Sequence, residues 1–127
     1  MKTILLADSE MSERACQKKM LTQCGYSIIG EAENNEQAVE QFVKLKPDLV
    51  VVRLVPTELA ERYGIDGIEV TKEIRKIDNN ALIIVATEYA SHSICIEAIA
   101  CGVNNIVLLP HPPRMLTTAV EKLIGKP

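Results

Sequence analysis

The chain has 127 residues, of which 47% are hydrophobic, and this size and apolar content suit one globular domain spanning residues 1–127. A net charge of −3, without a cluster of lysines and arginines, argues against a nucleic acid or an anionic membrane as the partner. No apolar run approaches the roughly 20 residues that cross a bilayer. Asp8 also comes too early for a secretory signal, so we expect a soluble, cytoplasmic protein.

Five short apolar runs recur along the chain and predict five β-strands. They cover residues 4–7, 26–32, 49–52, 81–86 and 106–109. Because the runs are continuous in apolarity rather than alternating, we expect strands that are buried on both faces of a parallel sheet.

Segments with helical periodicity separate these runs and predict five helices. Three of them cover residues 11–24, 67–77 and 91–100. Another is capped by Asn34 or Asn35 and ended by Pro47, and the last runs from Pro112–Pro113 through Leu123. Strands that alternate with helices in this way predict an α/β fold, a doubly wound parallel sheet with right-handed crossovers.

The cysteines and histidines show no spacing typical of metal ligands. No C-x-x-C motif is present, and His92 and His111 add no ligand pattern, so we predict no metal site and no cofactor. We expect both histidines to be exposed. The cysteines are expected to be small, buried or half-buried side chains in a reducing compartment: Cys16, Cys24, Cys95 and Cys101.

The third apolar run leads directly into a permanent cation, Arg53. In an open parallel sheet, ligands bind at the carboxyl ends of the strands, so this side chain is expected at a site. A guanidinium keeps its proton and is no nucleophile, which predicts that Arg53 holds charge. A cation buried there needs a partner, and Asp8 after the first strand is the predicted one.

Short motifs follow one another in a fixed order from the first strand to the last loop. They are Asp8, Gly25-Tyr26, Gly30-Glu31-Ala32, Pro47-Asp48-Leu49, Asp66-Gly67-Ile68-Glu69, Thr87, Ile96-Glu97-Ala98-Ile99, Gly102 and Pro110. Over the whole chain, this order and spacing resemble the receiver domain of bacterial two-component response regulators, especially the stand-alone chemotaxis type. The resemblance implies a flavodoxin-like sheet with strand order 2-1-3-4-5 and helices on both faces.

The resemblance also implies a pocket for phosphoryl transfer. Two acids after the first strand hold a divalent metal, an aspartate at the end of the third strand accepts the phosphoryl group, a hydroxyl after the fourth strand senses it, and a lysine after the fifth neutralises it. Such a pocket depends on positioned charges and the metal, because phosphoryl transfer has little covalent work for the protein.

This chain departs from that pattern at most of its positions. Asp8 and Thr87 match, but Ser9 replaces the second acid, Arg53 the acceptor and Leu109 the lysine. Asp8 and Arg53 alone sum to about zero charge, so we expect a self-neutralised pocket without affinity for metal or phosphate. Without an acceptor, the Thr87 hydroxyl is expected to bond to nearby backbone.

The segment after the third strand is longer than the family pattern. We expect residues 54–66 to be irregular, with an extra helical turn over the pocket as an alternative in which Glu58 or Glu61 folds back onto Arg53. The other interpretation is a tolerated surface insertion, since extra loop length costs little entropy.

The family's usual docking surface is built from the fourth helix, fifth strand and fifth helix. The resemblance therefore implies a protein partner, a kinase or an effector, and a homodimer as a further use of this face. In this chain the face lies near Ile94, Ile106 and Met115. Ile106 stands at a position where the family usually has tyrosine or phenylalanine.

Three functions are compatible with these observations. The first is a pseudo-receiver that signals by protein contact without phosphorylation at position 53. The second is a receiver phosphorylated elsewhere, at Asp8, Ser9 or Glu58. The third is a small flavin- or nucleotide-binding module, which the acidic loop after the first strand disfavours. An enzyme is not expected, because no nucleophile and base are suitably spaced.

Overall fold

Strands and helices alternate along the chain, and the computed structural model describes residues 1–89, 91–109 and 113–127. The strands are β1 (Thr3–Ala7), β2 (Ser27–Ala32), β3 (Leu49–Arg53), β4 (Ile83–Thr87) and β5 (Asn105–Leu108). The helices are α1 (Met11–Gln23), α2 (Asn35–Leu45), α3 (Thr57–Tyr63), α4 (Gly67–Ile77), α5 (His92–Cys101) and α6 (Pro113–Ile124). Within these ranges, every helix is too short or too polar to cross a membrane.

The five strands form a parallel sheet in the order β2-β1-β3-β4-β5, which confirms the predicted fold class. Strand β1 lies between β2 and β3, so the direction of winding reverses there, and sheets of this kind bind ligands outside that point. Asp8 directly follows β1, and Arg53 is the last residue of β3, aligned with Ala86 of β4. The topology therefore brings residues 8 and 53 to one edge.

The sheet separates two hydrophobic cores. Val50 and Val52 of β3 belong to the core that also contains residues of α2, α4 and α5. Leu49 and Val51 belong to the core that contains residues of α1 and α6. Because successive residues of a strand point to opposite faces, both cores require apolar residues, which explains the unbroken apolar run before Arg53.

Side-chain caps fix the beginning of α2, α4 and α5. The side chains of Asn34, Asp66 and Ser91 accept hydrogen bonds from backbone N–H groups two or three residues further on, at 2.9, 3.0 and 3.3 Å. Each bond satisfies a donor that the first helical turn leaves unpaired. Of the two caps proposed for α2, the structure uses Asn34.

The segment after β3 differs most from the predicted elements. Residues 57–63 form α3, a helix of 7 residues or about two turns, where the sequence predicted an irregular segment with at most an extra turn. Gly64 ends α3 in the left-handed conformation, with φ at 78°. The described part of the chain therefore has six helices rather than five.

The prediction for the cysteines is wrong for two of the four. Cys16 and Cys24 are exposed, whereas Cys95 and Cys101 are half-buried as expected, and all four are free thiols. Helix α1 buries only a stripe that includes Gln17 and Leu21, and Cys16 lies off that stripe. Position on the helix, not residue type, decides its exposure.

Predictions about the last loop fall partly on residues outside the described ranges. His111, Pro110 and Pro112 are such residues, so α6 is described only from Pro113 onward. His92 lies at the beginning of α5 and is exposed, as predicted.

Candidate functional site

Arg53 is buried at the carboxyl edge of the sheet and contacts three carboxylates. Its side chain is 2% exposed. Nη1 lies 3.1 Å from Oδ2 of Asp8, and Nη2 lies 3.7 Å from Oε1 of Glu10. Nη2 also donates a hydrogen bond to Oε1 of Glu88. The acceptor position of the family pattern is thus occupied by a cation at the centre of an ionic cluster.

Both carboxylate oxygens of Asp8 are engaged. Oδ1 accepts a hydrogen bond from the backbone N–H of Glu10 at 2.9 Å, and Oδ2 accepts from Arg53. The Asp8 side chain is as buried as that of Arg53, at 2% exposure. Pairing satisfies two charges that would each be costly to bury alone, as the sequence predicted for these two residues.

The charge of the pocket differs from the predicted value. With Glu10 and Glu88 included, three carboxylates and one guanidinium give a formal sum of −2, rather than about zero. Burial by itself lowers the pKa of Arg53, but the charges of Asp8, Glu10 and Glu88 outweigh burial and raise that pKa above its ordinary value. The guanidinium therefore stays charged, and the pocket is negative.

Glu10 and Glu88 were missed as members of the site, although their positions in the sequence carried a signal. Glu10 follows Asp8 by two residues, and Glu88 directly follows Thr87 at the end of β4. Strands β1 and β4 both neighbour β3, so acids just after them lie near its carboxyl end. Their side chains are about half exposed, at 46% and 48%.

Thr87 and Leu109 lie side by side beyond the ionic cluster. The Thr87 hydroxyl is buried and accepts a hydrogen bond from the backbone N–H of Tyr89 at 3.0 Å, the local bond expected from the sequence. The backbone N–H of Leu109 donates to the carbonyl of Thr87 at 2.7 Å. Leu109 is half-buried, and it brings no positive charge to the place where the family pattern has a lysine.

The inserted helix α3 contacts the β4–α5 loop rather than Arg53. The hydroxyls of Tyr63 and Tyr89 lie 3.4 Å apart. Glu58 and Glu61 are exposed, and neither is among the ion-pair partners of Arg53 in the described residues. The acidic side chains that contact the guanidinium come instead from the loops after β1 and β4.

Ser9 lies next to the cluster in sequence and is half-buried. Within the described ranges, no group of three or more histidine, cysteine, aspartate or glutamate side chains is arranged to hold a metal ion. The Asp8 carboxylate, which a metal would need first, is already paired with Arg53. The carboxylates at this edge are therefore engaged with the guanidinium of Arg53.

The predicted interaction face corresponds to α5, β5 and α6, because the insertion adds a helix earlier in the chain. Ile94 and Ile106 are half-buried and pack against a core, whereas Met115 is 48% exposed. Other apolar side chains of these elements are more exposed than the first two: Ile96, Ile99 and Leu108.

Comparison with known proteins agrees with the fold and with the order of the motifs. The sequence model of the response regulator receiver domain matches residues 4–121. The chemotaxis protein CheY of Thermotoga maritima is 35% identical over 122 residues, which cover 96% of this chain and 97% of that protein. CheY of Bacillus subtilis is 32% identical over 122 residues, with the same coverage of both chains.

A solved structure with the same fold is the CheX–CheY complex of Borrelia burgdorferi with BeF₃ and magnesium. It superimposes with a TM-score of 0.86 at 19% identity and covers 98% of this chain and 90% of that chain. Because the family model and both CheY relatives extend over nearly the whole sequence, the chain belongs to the receiver domains of response regulators, the CheY-like proteins of bacterial two-component signalling.

Proposed function

We propose that this chain is a pseudo-receiver, a signalling domain that acts through protein contacts and is not phosphorylated at position 53. The observation that carries this proposal is Arg53 itself, buried at the end of β3 and held by Asp8, Glu10 and Glu88. A protonated guanidinium has no free lone pair for attack on phosphorus, and it lacks the carboxylate that forms an acyl phosphate in the family. The domain therefore keeps the family fold without the family reaction.

The electrostatics of the pocket support the same conclusion. A phosphoryl group brings negative charge, and in this family positioned cations and a metal offset it. Here the cluster already sums to −2, and Leu109 stands where a lysine would contribute a positive charge. An incoming phosphoryl donor would meet repulsion, and Arg53 already occupies the carboxylates that a metal would need.

Protein contact is the remaining route for a signal, and α5, β5 and α6 supply a surface for it. Ile96, Ile99, Leu108 and Met115 expose between 43% and 66% of their surface there. Exposed apolar side chains of this kind are typical of docking sites. The partner is a kinase or an effector of a two-component pathway, as a CheY of Borrelia burgdorferi forms a complex with CheX.

Phosphorylation with a small donor tests the proposal. The wild-type protein is incubated with acetyl phosphate and magnesium, and its intact mass is measured. We expect no added phosphoryl group, because the charged, carboxylate-paired Arg53 is not a nucleophile. The matched control is the variant Ser9→Asp/Arg53→Asp/Leu109→Lys, which rebuilds the family pocket in the same fold and should gain one group. A wild-type protein that gains a phosphoryl group would reject the proposal.

A phosphorylated receiver with a different acceptor is the second candidate. Glu58 is exposed and Ser9 is half-buried, so reagents reach both, whereas the oxygens of Asp8 are both engaged. If the wild-type mass increases, peptide mapping after borohydride reduction identifies an acyl phosphate on Glu58 or Asp8, and a stable phosphoserine identifies Ser9. Isothermal titration with magnesium adds an independent check, since a sub-millimolar affinity would contradict the occupied cluster.

A further inference from the structure

The outer face of α2 carries two connected grooves on the side of the molecule away from α6. One groove of about 530 Å³ is lined by residues that include Val39, Val43 and Glu73. The other, of about 400 Å³, is lined by residues that include Val43, Pro47 and Ile77. Val43 belongs to both, so the two grooves form one continuous apolar surface. Val43 and Ile77 expose 50% and 49% of their surface, which is high for aliphatic side chains.

Charges are segregated along this face. Glu36 and Glu40 lie in the first half of α2, and Lys44 and Lys46 lie at its end. Residues 36, 40, 43 and 44 follow helical spacing, so their charges flank the apolar stripe, and Lys46 lies directly after the last helical residue. None of these four charged side chains takes part in an ion pair in the described residues. The charges of neighbouring α4 are paired locally, Glu69 with Lys72 and Glu73 with Lys76.

Lys46 is unusual in its backbone conformation. It ends α2 in the left-handed region, with φ at 49°, and it is the only residue other than glycine with positive φ in the described part of the chain. Glycine is the residue that favours this position, because a Cβ atom is strained there. The chain therefore places a cation at the rim of the groove at a conformational cost that a glycine would avoid.

We propose that the outer face of α2 is a homodimer interface in which two α2 helices pack antiparallel about a two-fold axis. In that arrangement Glu36 and Glu40 of one copy face Lys44 and Lys46 of the other, and each copy contributes both halves of the contact. Antiparallel packing also aligns opposite helix dipoles. The apolar stripe around Val43 and Ile77 is covered at the centre. A second copy of this chain fits the face because the face is complementary to itself.

This dimer leaves the α5–β5–α6 surface free in both copies. The two surfaces belong to different elements, since the α2 face involves α2 and the end of α4. The proposal does not depend on the phosphorylation state of the pocket. A dimer through α2 would present two partner-binding surfaces at once, which would raise the effective affinity for a partner that carries two binding sites.

Sedimentation velocity of the full chain, from low to high micromolar protein, tests the interface. We expect a reversible monomer–dimer equilibrium for the wild type. An acidic variant, Lys44→Glu/Lys46→Glu, and a basic variant, Glu36→Lys/Glu40→Lys, each place like charges opposite one another. In each variant alone the apparent dissociation constant should rise at least about tenfold. An equimolar mixture of the two variants should restore association, because acidic and basic faces then meet.

Two control variants show whether association depends on the α2 face itself. Ile99→Glu changes the α5–β5–α6 surface and should leave the dissociation constant unchanged. Lys46→Gly should raise the unfolding temperature of the dilute monomer, since it relieves the left-handed strain, and should weaken the dimer. A wild type that stays monomeric throughout, a mixture that fails to associate, or a dimer abolished by Ile99→Glu would each overturn the proposal.

Discussion

At the end of β3, one guanidinium contacts three carboxylates that come from two loops, the loop after β1 and the loop after β4. Asp8 follows β1, Glu10 stands at the beginning of α1, and Glu88 follows β4. A bound divalent ion would gather acids in a similar way, but its occupancy would depend on concentration. The Arg53 cation is part of the chain itself, so its contacts with these two loops do not depend on the concentration of a ligand. The arrangement of these carboxylates therefore does not require a bound metal ion.

Replacing Arg53 should expose the cost of the buried carboxylate. In Arg53→Met, Asp8 keeps its burial but loses its partner, and we expect the free energy of unfolding to fall by about 3–5 kcal/mol. The measurement is urea denaturation at neutral pH. Asp8→Asn in the same background should recover much of the loss, because the amide carries no charge.

Glu88→Gln is the matched control for that experiment. Glu88 is 48% exposed, so losing its charge should change the free energy of unfolding by less than about 1 kcal/mol. If Arg53→Met lowered the free energy of unfolding no more than Glu88→Gln does, the buried pair of Asp8 and Arg53 would not be the stabilising part of the cluster.

Glu31 gives stability a dependence on pH. Arg14 and Lys18 each place a nitrogen 3.2 Å from its carboxylate. Burial raises the pKa of Glu31, but both cations outweigh burial and hold it below its ordinary value of 4.5. A lowered carboxylate pKa stabilises the fold above that ordinary value, and the stabilisation is lost as pH falls through the folded-state pKa.

Urea denaturation of the wild type and of Glu31→Gln, between about pH 6 and pH 3, measures this contribution. The free energy of unfolding of the wild type should fall more steeply below the ordinary pKa than that of the variant. Parallel curves would show that the ion pairs of Glu31 contribute nothing to stability.

At the scale of elements, the sequence predicts strands and long helices well and short insertions poorly. Helix α4 is predicted at both ends, Gly67 and Ile77, because Asp66 caps it and its apolar positions recur with helical spacing. Helix α3 has 7 residues, too few to show a periodic stripe. Glu10 and Glu88 were missed for a related reason, since periodicity says nothing about where loop side chains point.

Helix α3 contacts the loop after β4 through two phenols, and this contact has a measurable consequence. The hydrogen bond with Tyr63 is the largest cause that raises the pKa of Tyr89 above its ordinary value of 10.0. Tyr63→Phe should therefore lower the pKa of Tyr89 toward that value. A ¹³C NMR titration of labelled tyrosine resolves each ring.

Glu61→Gln is the control on the same helix, because Glu61 is exposed and lies outside this contact. It should leave the pKa of Tyr89 where it is in the wild type. An unchanged pKa of Tyr89 in Tyr63→Phe would mean that α3 and the loop do not meet in solution.

At the scale of the whole molecule, fold and chemistry are encoded separately. The apolar runs form the five-stranded sheet of the family, and the order of its strands places residues 8, 53 and 87 at one edge. What happens at that edge depends on a few side chains whose exchange leaves the fold unchanged, because they lie at strand ends outside both cores. This is why the fold and the altered acceptor could be predicted from the sequence, but not the final charge of the pocket.

The two cores share one sheet, so the domain should unfold as a unit. Ile74 on one side and Leu116 on the other are both fully buried. Ile74→Ala and Leu116→Ala should each lower the free energy of unfolding by about 2–5 kcal/mol, whereas Ile99→Ala, at 66% exposure, should change it by about 0.5 kcal/mol or less. Urea denaturation followed by circular dichroism and by tyrosine fluorescence should give coincident single transitions in every variant. Separate transitions for the two probes in either core variant would show that one layer can melt while the other stays folded.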